Sequence, residues 1–201
     1  MQFGYEATTL KVALRPGDII SVRRRGFLSW LIRRCERSKG EEPSWASHCA
    51  MIVSVEPTVL LAESLAKTVI RPLVAAYSGS RAMLVAHRLP ELAEGQIAQV
   101  VSCAEEYVGR DYGWMKVAAH ALDALLGGVY LFRRLCRLQA YPICSWVVAF
   151  AYEKGAGLKF GADADVATPD DIMDWCQVEA RLVWADSAGT LDSAKRCYGG
   201  Q

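Results

Sequence analysis

The chain has 201 residues, 52% of them hydrophobic and 22% charged, and its 23 basic and 22 acidic side chains leave a net charge of +1. That length suits one domain able to bury a core without a metal or disulfide staple, and the composition excludes disorder, collagen-like repeats and coiled coils. The balanced charge gives no global attraction to nucleic acid, so any anionic partner needs a local basic patch.

In chain order, Leu14-Arg15-Pro16-Gly17-Asp18 reads as a turn feeding a β-branched strand, Ile19 to Val22. Phe27 to Arg37 has apolar residues at 27, 28, 31 and 32 and arginines at 33, 34 and 37. That spacing predicts a short amphipathic helix with a basic end, broken by Gly40-Glu41-Glu42-Pro43. Cys49 to Val55 and Val59 to Leu65, separated by Glu56-Pro57-Thr58, read as an antiparallel hairpin. Thr68 to Leu73 is expected to continue the second strand past a bend, and Ala82 to Leu89 to form another strand, ended by Pro90. A helix is predicted over about 93–108, stopped by Gly109, and an apolar helical stretch over about 115–126 after a loop holding Asp111-Tyr112-Gly113-Trp114. Tyr141-Pro142 introduces a helix from Ile143 to Glu153, ended by Gly155. Thr168-Pro169-Asp170-Asp171 is an N-cap with carboxylates in the first turn, Glu179 to Trp184 a last strand, and the final dozen residues a frayed tail. The expectation is one α+β domain over 1–201 with its core at about 12–175.

The most apolar window, Val117 to Phe132, is 16 residues long and interrupted by His120 and Asp123, too short for a bilayer span. Met1-Gln2-Phe3-Gly4-Tyr5-Glu6 lacks the order of a signal peptide, so a cytoplasmic location is expected. The same apolar window favours self-association into a homo-oligomer. Cys35, Cys49, Cys103, Cys136, Cys144, Cys176 and Cys197 are odd in number and contain no C-x-x-C pair. Free thiols therefore fit better than a disulfide framework or a zinc site.

Among those thiols Cys144 stands at the first turn of its helix, where unpaired backbone N–H groups and the helix dipole favour a thiolate. The plainer alternative is a small buried hydrophobe at a helix start. A cysteine nucleophile needs a base, and the candidates are His48, His87 and His120. His120 falls in an apolar helical stretch and His87 near a strand end, whereas His48 opens a strand that can hold its ring. Fourteen residues separate His48 from Glu63, so a hairpin with a two- or four-residue loop would set them directly opposite on one face. Glu63 stands alone in Leu60-Leu61-Ala62-Glu63-Ser64-Leu65, a costly place for a carboxylate unless it is partnered or lies on a solvated edge.

The order of these elements resembles the circularly permuted papain-like enzymes of the NlpC superfamily, including the YiiX-like group. The matching features are Pro16-Gly17-Asp18-Ile19-Ile20, Ser47-His48 opening an apolar strand, Glu63 in the next strand, Gly109-Arg110-Asp111-Tyr112, Cys144-Ser145 opening a helix, and Thr168-Pro169-Asp170-Asp171. The resemblance implies an antiparallel sheet packed against helices and a cysteine hydrolase acting on an amide or isopeptide bond, of peptidoglycan type among the candidates. It implies Cys144 as nucleophile, His48 as general base, Glu63 as the orienting group and Tyr112 as an oxyanion donor, with a thioester acyl-enzyme, no cofactor and no metal. Asp111 precedes Tyr112 here where the family often has Tyr followed by Asp, and the stretch between Tyr112 and Cys144 is long and apolar. The implied partner is a peptide or amide substrate, a cell-wall fragment included, which a cytoplasmic chain would reach through lysis, a phage particle or another export path. Two alternatives stand beside this reading. One is an acyltransferase or lipid hydrolase similar to lecithin:retinol acyltransferase, with Arg23-Arg24-Arg25, Arg33-Arg34-Arg37 and Arg133-Arg134-Arg137 holding lipid phosphates rather than lying solvated. The other is a non-catalytic binding module.

Overall fold

The computed structural model describes residues 13–35, 44–78, 80–89, 92–113, 122 and 143–185. Pro16 and Gly17 turn the chain as expected, with Gly17 at φ +87°, a backbone conformation glycine adopts without strain. Asp18 then leads into β1 (Ile19–Arg23). The hairpin follows as β2 (His48–Ser54) and β3 (Leu60–Ser64). Thr68–Pro72 does not extend β3. It forms a separate strand, β4, antiparallel to β3 with Glu63 facing Val69 and Ser64 facing Thr68. The chain reverses between them, where Leu65 N–H bonds back to the Lys67 carbonyl. With β5 (Met83–Arg88) and β6 (Arg181–Ala185) these strands make one six-stranded sheet ordered β4-β3-β2-β1-β5-β6, antiparallel at every pairing.

Strand alternation divides the core between the two faces of the sheet. Cys49, Met51 and Val53 of β2 join Ile19 and Ala62 in one buried cluster, while Ala50 and Ile52 join Ile20, Val22 and Leu61 in the other. Helix α1 (Phe27–Cys35) carries Arg33 and Arg34 in its last turn, and α2 (Leu73–Tyr77) buries Leu73 and Tyr77 against the second cluster. Helix α3 (Glu94–Glu105) ends three residues before the predicted stop. Its last turn tightens there, with Tyr107 N–H on Ala104 O and Val108 N–H on Glu105 O.

Helix α4 (Cys144–Ala156) lies on the first cluster and is buried almost all round, with Trp146, Val147, Val148, Ala151 and Tyr152 each no more than 2% exposed. A helix apolar on every side belongs inside the domain. Gly155 does not end it: Gly157, at φ +69°, is the left-handed cap. Gly155 instead lets α3 approach, because a Cβ there would fall 2.6 Å from both Cα and N of Val100. Helix α5 (Pro169–Glu179) begins as predicted, with Thr168 Oγ1 accepting the Asp171 N–H at 3.1 Å and Asp171 Oδ2 accepting the Thr168 N–H at 2.8 Å. The basic-helix breaker at 40–43, the apolar stretch at 115–126 apart from Leu122, Pro142 and the tail lie outside the described residues. Among the described residues, no helix is long and apolar enough to cross a membrane.

Candidate active site

The entry to β2 is pinned before His48 is reached. Ser47 Oγ receives the Ser29 hydroxyl at 2.8 Å and the Arg24 N–H at 3.2 Å, while the Ser47 N–H bonds the Val22 carbonyl at 2.9 Å. His48 is the first residue of β2, level with Val22 of the central strand, so its ring sits at the end of the sheet.

His48 and Glu63 come together, but not directly opposite each other. The connection between β2 and β3 is five residues, 55–59, and pairs Ser54 with Leu60. That register alone would carry Glu63 level with Met51, on the face away from His48. A bulge between Ile52 and Ser54 shifts the pairing to Ile52–Leu61 and Met51–Ala62. Glu63 thereby comes level with Ala50, onto the His48 face and offset by two residues, because a slip of one residue moves every side chain to the other face. The His48 Nε2–H donates to Glu63 Oε2 at 2.7 Å.

Glu63 is fully buried and fully partnered, as a buried carboxylate must be. Oε2 also accepts the Tyr77 hydroxyl at 2.8 Å, and Oε1 takes Nε and Nη2 of Arg71. Arg71 faces Leu61 across β3 and β4, which puts it on the Glu63 face, and Tyr77 arrives from α2.

Cys144 is the first residue of α4, with N-cap Ile143 extended at φ −99° and ψ 170°. The helix start is held by Ser145, whose hydroxyl donates to the Ala167 carbonyl at 2.7 Å just before the α5 cap. This places the Cys144 sulfur against both His48 and Cys49. Since Nε2 of His48 is taken by Glu63, the nitrogen left to face the sulfur is Nδ1.

The electrostatics follow from these contacts. The hydrogen bond from the Cys49 thiol, then the His48 charge and hydrogen bond and the Cys49 backbone N–H, together outweigh burial and hold the Cys144 thiol well below its usual 9.0. Burial works against a charged His48, but the Cys144 thiolate and then Glu63 outweigh it and raise the ring to about 9. Burial likewise opposes an ionised Glu63. Its hydrogen bond and charge pairing with His48, the Tyr77 hydroxyl and the Arg71 charge hold it down at about 2. All three shifts favour the charged forms, a thiolate, an imidazolium and a carboxylate in a row. By contrast, burial alone pushes Cys176 up to about 12.

Tyr112 lies in the loop after α3, its N–H on the Ala66 carbonyl and its ring packed against the cluster that contains Ile143 and Trp146. His87 is fully buried in β5 opposite Ile19, and burial lowers it to about 4. His120 lies outside the described residues. The Asp of the Pro-Gly-Asp turn is structural: Asp18 accepts Nε and Nη2 of Arg88, each at 2.7 Å, which clamps β5 to the turn. Sequence reasoning missed Tyr77, Arg71 and the role of Cys49. Only Cys49 had a local signal, as a thiol next to His48.

No protein-family description matches the chain, and no curated protein matches it by sequence. Among solved structures it resembles the crystal structure of metalloprotein yiiX from Escherichia coli O157:H7, with TM-score 0.58 and 16% identity over 85% of this chain and 96% of that one. The fold is yiiX-like. That protein is called a metalloprotein; among the described residues here, no three or more His, Cys, Asp or Glu side chains form a group suited to a metal ion. On this yiiX-like fold His48, Glu63 and Cys144 are engaged with one another instead.

Proposed function

We propose that the chain is a cysteine hydrolase of amide bonds on a permuted papain-like fold. The observation that carries this reading is the buried line Cys144–His48–Glu63, in which the thiol is depressed and the imidazole raised. In the step that follows from it, the Cys144 thiolate attacks the carbonyl carbon and the C–O π electrons move to the oxygen. The N–H groups in the first turn of α4, joined by the Tyr112 hydroxyl, are assigned to stabilise that oxyanion; one such donor is commonly worth about 3 kcal/mol. His48 gives its proton to the leaving nitrogen as the C–N bond breaks, leaving a thioester on Cys144. Neutral His48 then takes a proton from water, whose oxygen displaces the sulfur and releases the acid. Glu63 holds the ring and its charge through both steps. The substrate class is a peptide or amide, an isopeptide of cell-wall type included.

The test is the pH profile of iodoacetamide alkylation at each thiol, mapped by mass spectrometry, in the native protein and in His48→Ala. The position of the inflection reports the thiol's pKa whatever its accessibility. Cys144 should react at pH 6 and lose that reactivity in His48→Ala, and a peptide ester should then leave an acyl mass on Cys144. A Cys144 inflection at the ordinary thiol value would overturn the reading.

A further inference from the structure

A second site lies on the other side of Glu63's ligands. Arg24, Arg25, Arg71 and Arg81 line one cleft of about 300 Å³, together with Tyr77 and Ser80. Four guanidinium groups thus meet in a chain whose net charge is only +1. The carboxylate seen to answer them is Glu63, with Arg24 Nη2 at 3.9 Å from its Oε2 and Arg71 on its Oε1. That single negative charge is already shared with His48 and Tyr77. Among the described residues, the cleft therefore carries an excess of about three positive charges at close quarters, an arrangement that repels itself unless an anion enters.

Other features of the cleft point the same way. Arg24 Nε is buried with no hydrogen-bond partner among the described residues, a donor that is costly to leave unmet. The guanidiniums of Arg24 and Arg71 stand over the Tyr77 ring, 5.5 and 6.0 Å from its centroid, and Tyr77 is itself held by Glu63. Those two forks are thus positioned before any ligand arrives. Ser80 Oγ accepts the Ala82 N–H at 3.3 Å, which leaves its proton to donate.

We propose that this cleft binds a phosphate group. Guanidinium forks match phosphate oxygens in pairs, and a phosphate dianion answers an excess that a single carboxylate would leave mostly unmet. The inference stands on the cleft's own charge and geometry and does not rest on the chemistry of Cys144. It names the shared chemistry of two sources, a phosphorylated solute and a lipid headgroup.

The test is titration calorimetry of the full chain with inorganic phosphate at pH 8, where phosphate is a dianion, at constant ionic strength. Saturable 1:1 binding is expected, weakening as sodium chloride is raised. Arg25 and Arg81 are both exposed, so Arg25→Ala with Arg81→Ala should fold and should weaken phosphate by about tenfold or more, since a hydrogen bond to a charged group is of that size. Arg25→Lys with Arg81→Lys keeps the charge and loses the forks, and should weaken it by less. Flotation with phosphatidylcholine vesicles, with and without phosphatidic acid, assigns the source. Binding that needs phosphatidic acid and fails in the double alanine variant marks a headgroup, while phosphate binding without flotation marks a solute. Absence of saturable phosphate binding, equal affinity for acetate, or an unchanged affinity in the double alanine variant would each overturn the proposal. None of these outcomes bears on Cys144 alkylation, so the two readings fail separately.

Discussion

Glu63→Gln offers the sharpest test of the buried charge line, because its effect has a defined pH dependence. Glu63 is held at about 2 against an ordinary 4.5, so its ionisation stabilises the folded state by about 3 kcal/mol at pH 7. The sign follows from the depressed value: the contribution is complete above 4.5 and is lost as pH falls through about 2. At pH 3 about 1 kcal/mol of it should remain. The amide keeps the side chain's size but cannot ionise, and it leaves Arg71 and His48 facing a neutral group. Urea unfolding of both proteins at pH 7 and pH 3 isolates the effect, since every other carboxylate cancels in the difference. The stability gap should narrow by about 2 kcal/mol between those pH values, on top of any constant offset from the altered hydrogen bonds. In the same variant the His48 proton resonances should titrate below about 9, because the hydrogen bond and charge that help raise the ring are gone. A gap that stays flat with pH would refute the claim that Glu63 is an ionised, stabilised partner of His48.

The remaining predictions separate the thiols and the packing. Cys49→Ala removes the hydrogen bond that most lowers Cys144, so Cys144 alkylation at pH 6 should slow by about tenfold, while Cys176→Ala, which alters a thiol held at about 12, should leave that rate unchanged. In Gly155→Ala the new Cβ meets Val100 backbone, which α3 can relieve only by moving away; thermal melts should show a loss of about 1–3 kcal/mol, and an unchanged Tm would mean the two helices are not in close contact. Arg88→Ala strands the buried Asp18 carboxylate and should cost about 3–5 kcal/mol in urea unfolding, with Asp18→Asn added to it recovering a large share.

What was legible in the chain was what neighbouring residues determine. The Pro-Gly turn, the β2–β3 hairpin, the cysteine at a helix start and the Thr-Pro-Asp-Asp cap each depend on a few adjacent side chains, and each lies where its local chemistry put it. The misplaced helix stop shows the limit. Gly155 reads as the terminator, but it is needed for its missing Cβ against a helix some fifty residues earlier in the chain, which no local pattern records, and the cap falls at Gly157. The break between β3 and β4 was hidden in the same way. Thr68-Val69-Ile70 has strand character whether it prolongs β3 or folds back on it, and the reversal rests on backbone bonds at Leu65 and Lys67.

The pairing of His48 with Glu63 was anticipated for a reason that holds only in part. An even spacing puts two residues of a hairpin on one face when the ladder is regular. Here the connection is odd in length and the bulge between Ile52 and Ser54 restores the parity, so two irregularities cancel. Were Val53 instead taken into a regular ladder from Ser54 and Leu60, Glu63 would turn to the face of Met51 and leave His48 without a carboxylate. One residue of strand register therefore decides whether Glu63 reaches His48 and adds to the Cys144 thiolate in raising the ring. The partners that complete the arrangement come from β4 and α2 through tertiary packing, which is why Arg71 and Tyr77 carried no signal of their own. Deleting Val53 removes the extra residue while keeping Ser54 on Leu60 and Ile52 on Leu61, so Glu63 should stay on the His48 face and Cys144 should still be alkylated at pH 6; loss of that reactivity would refute the register argument.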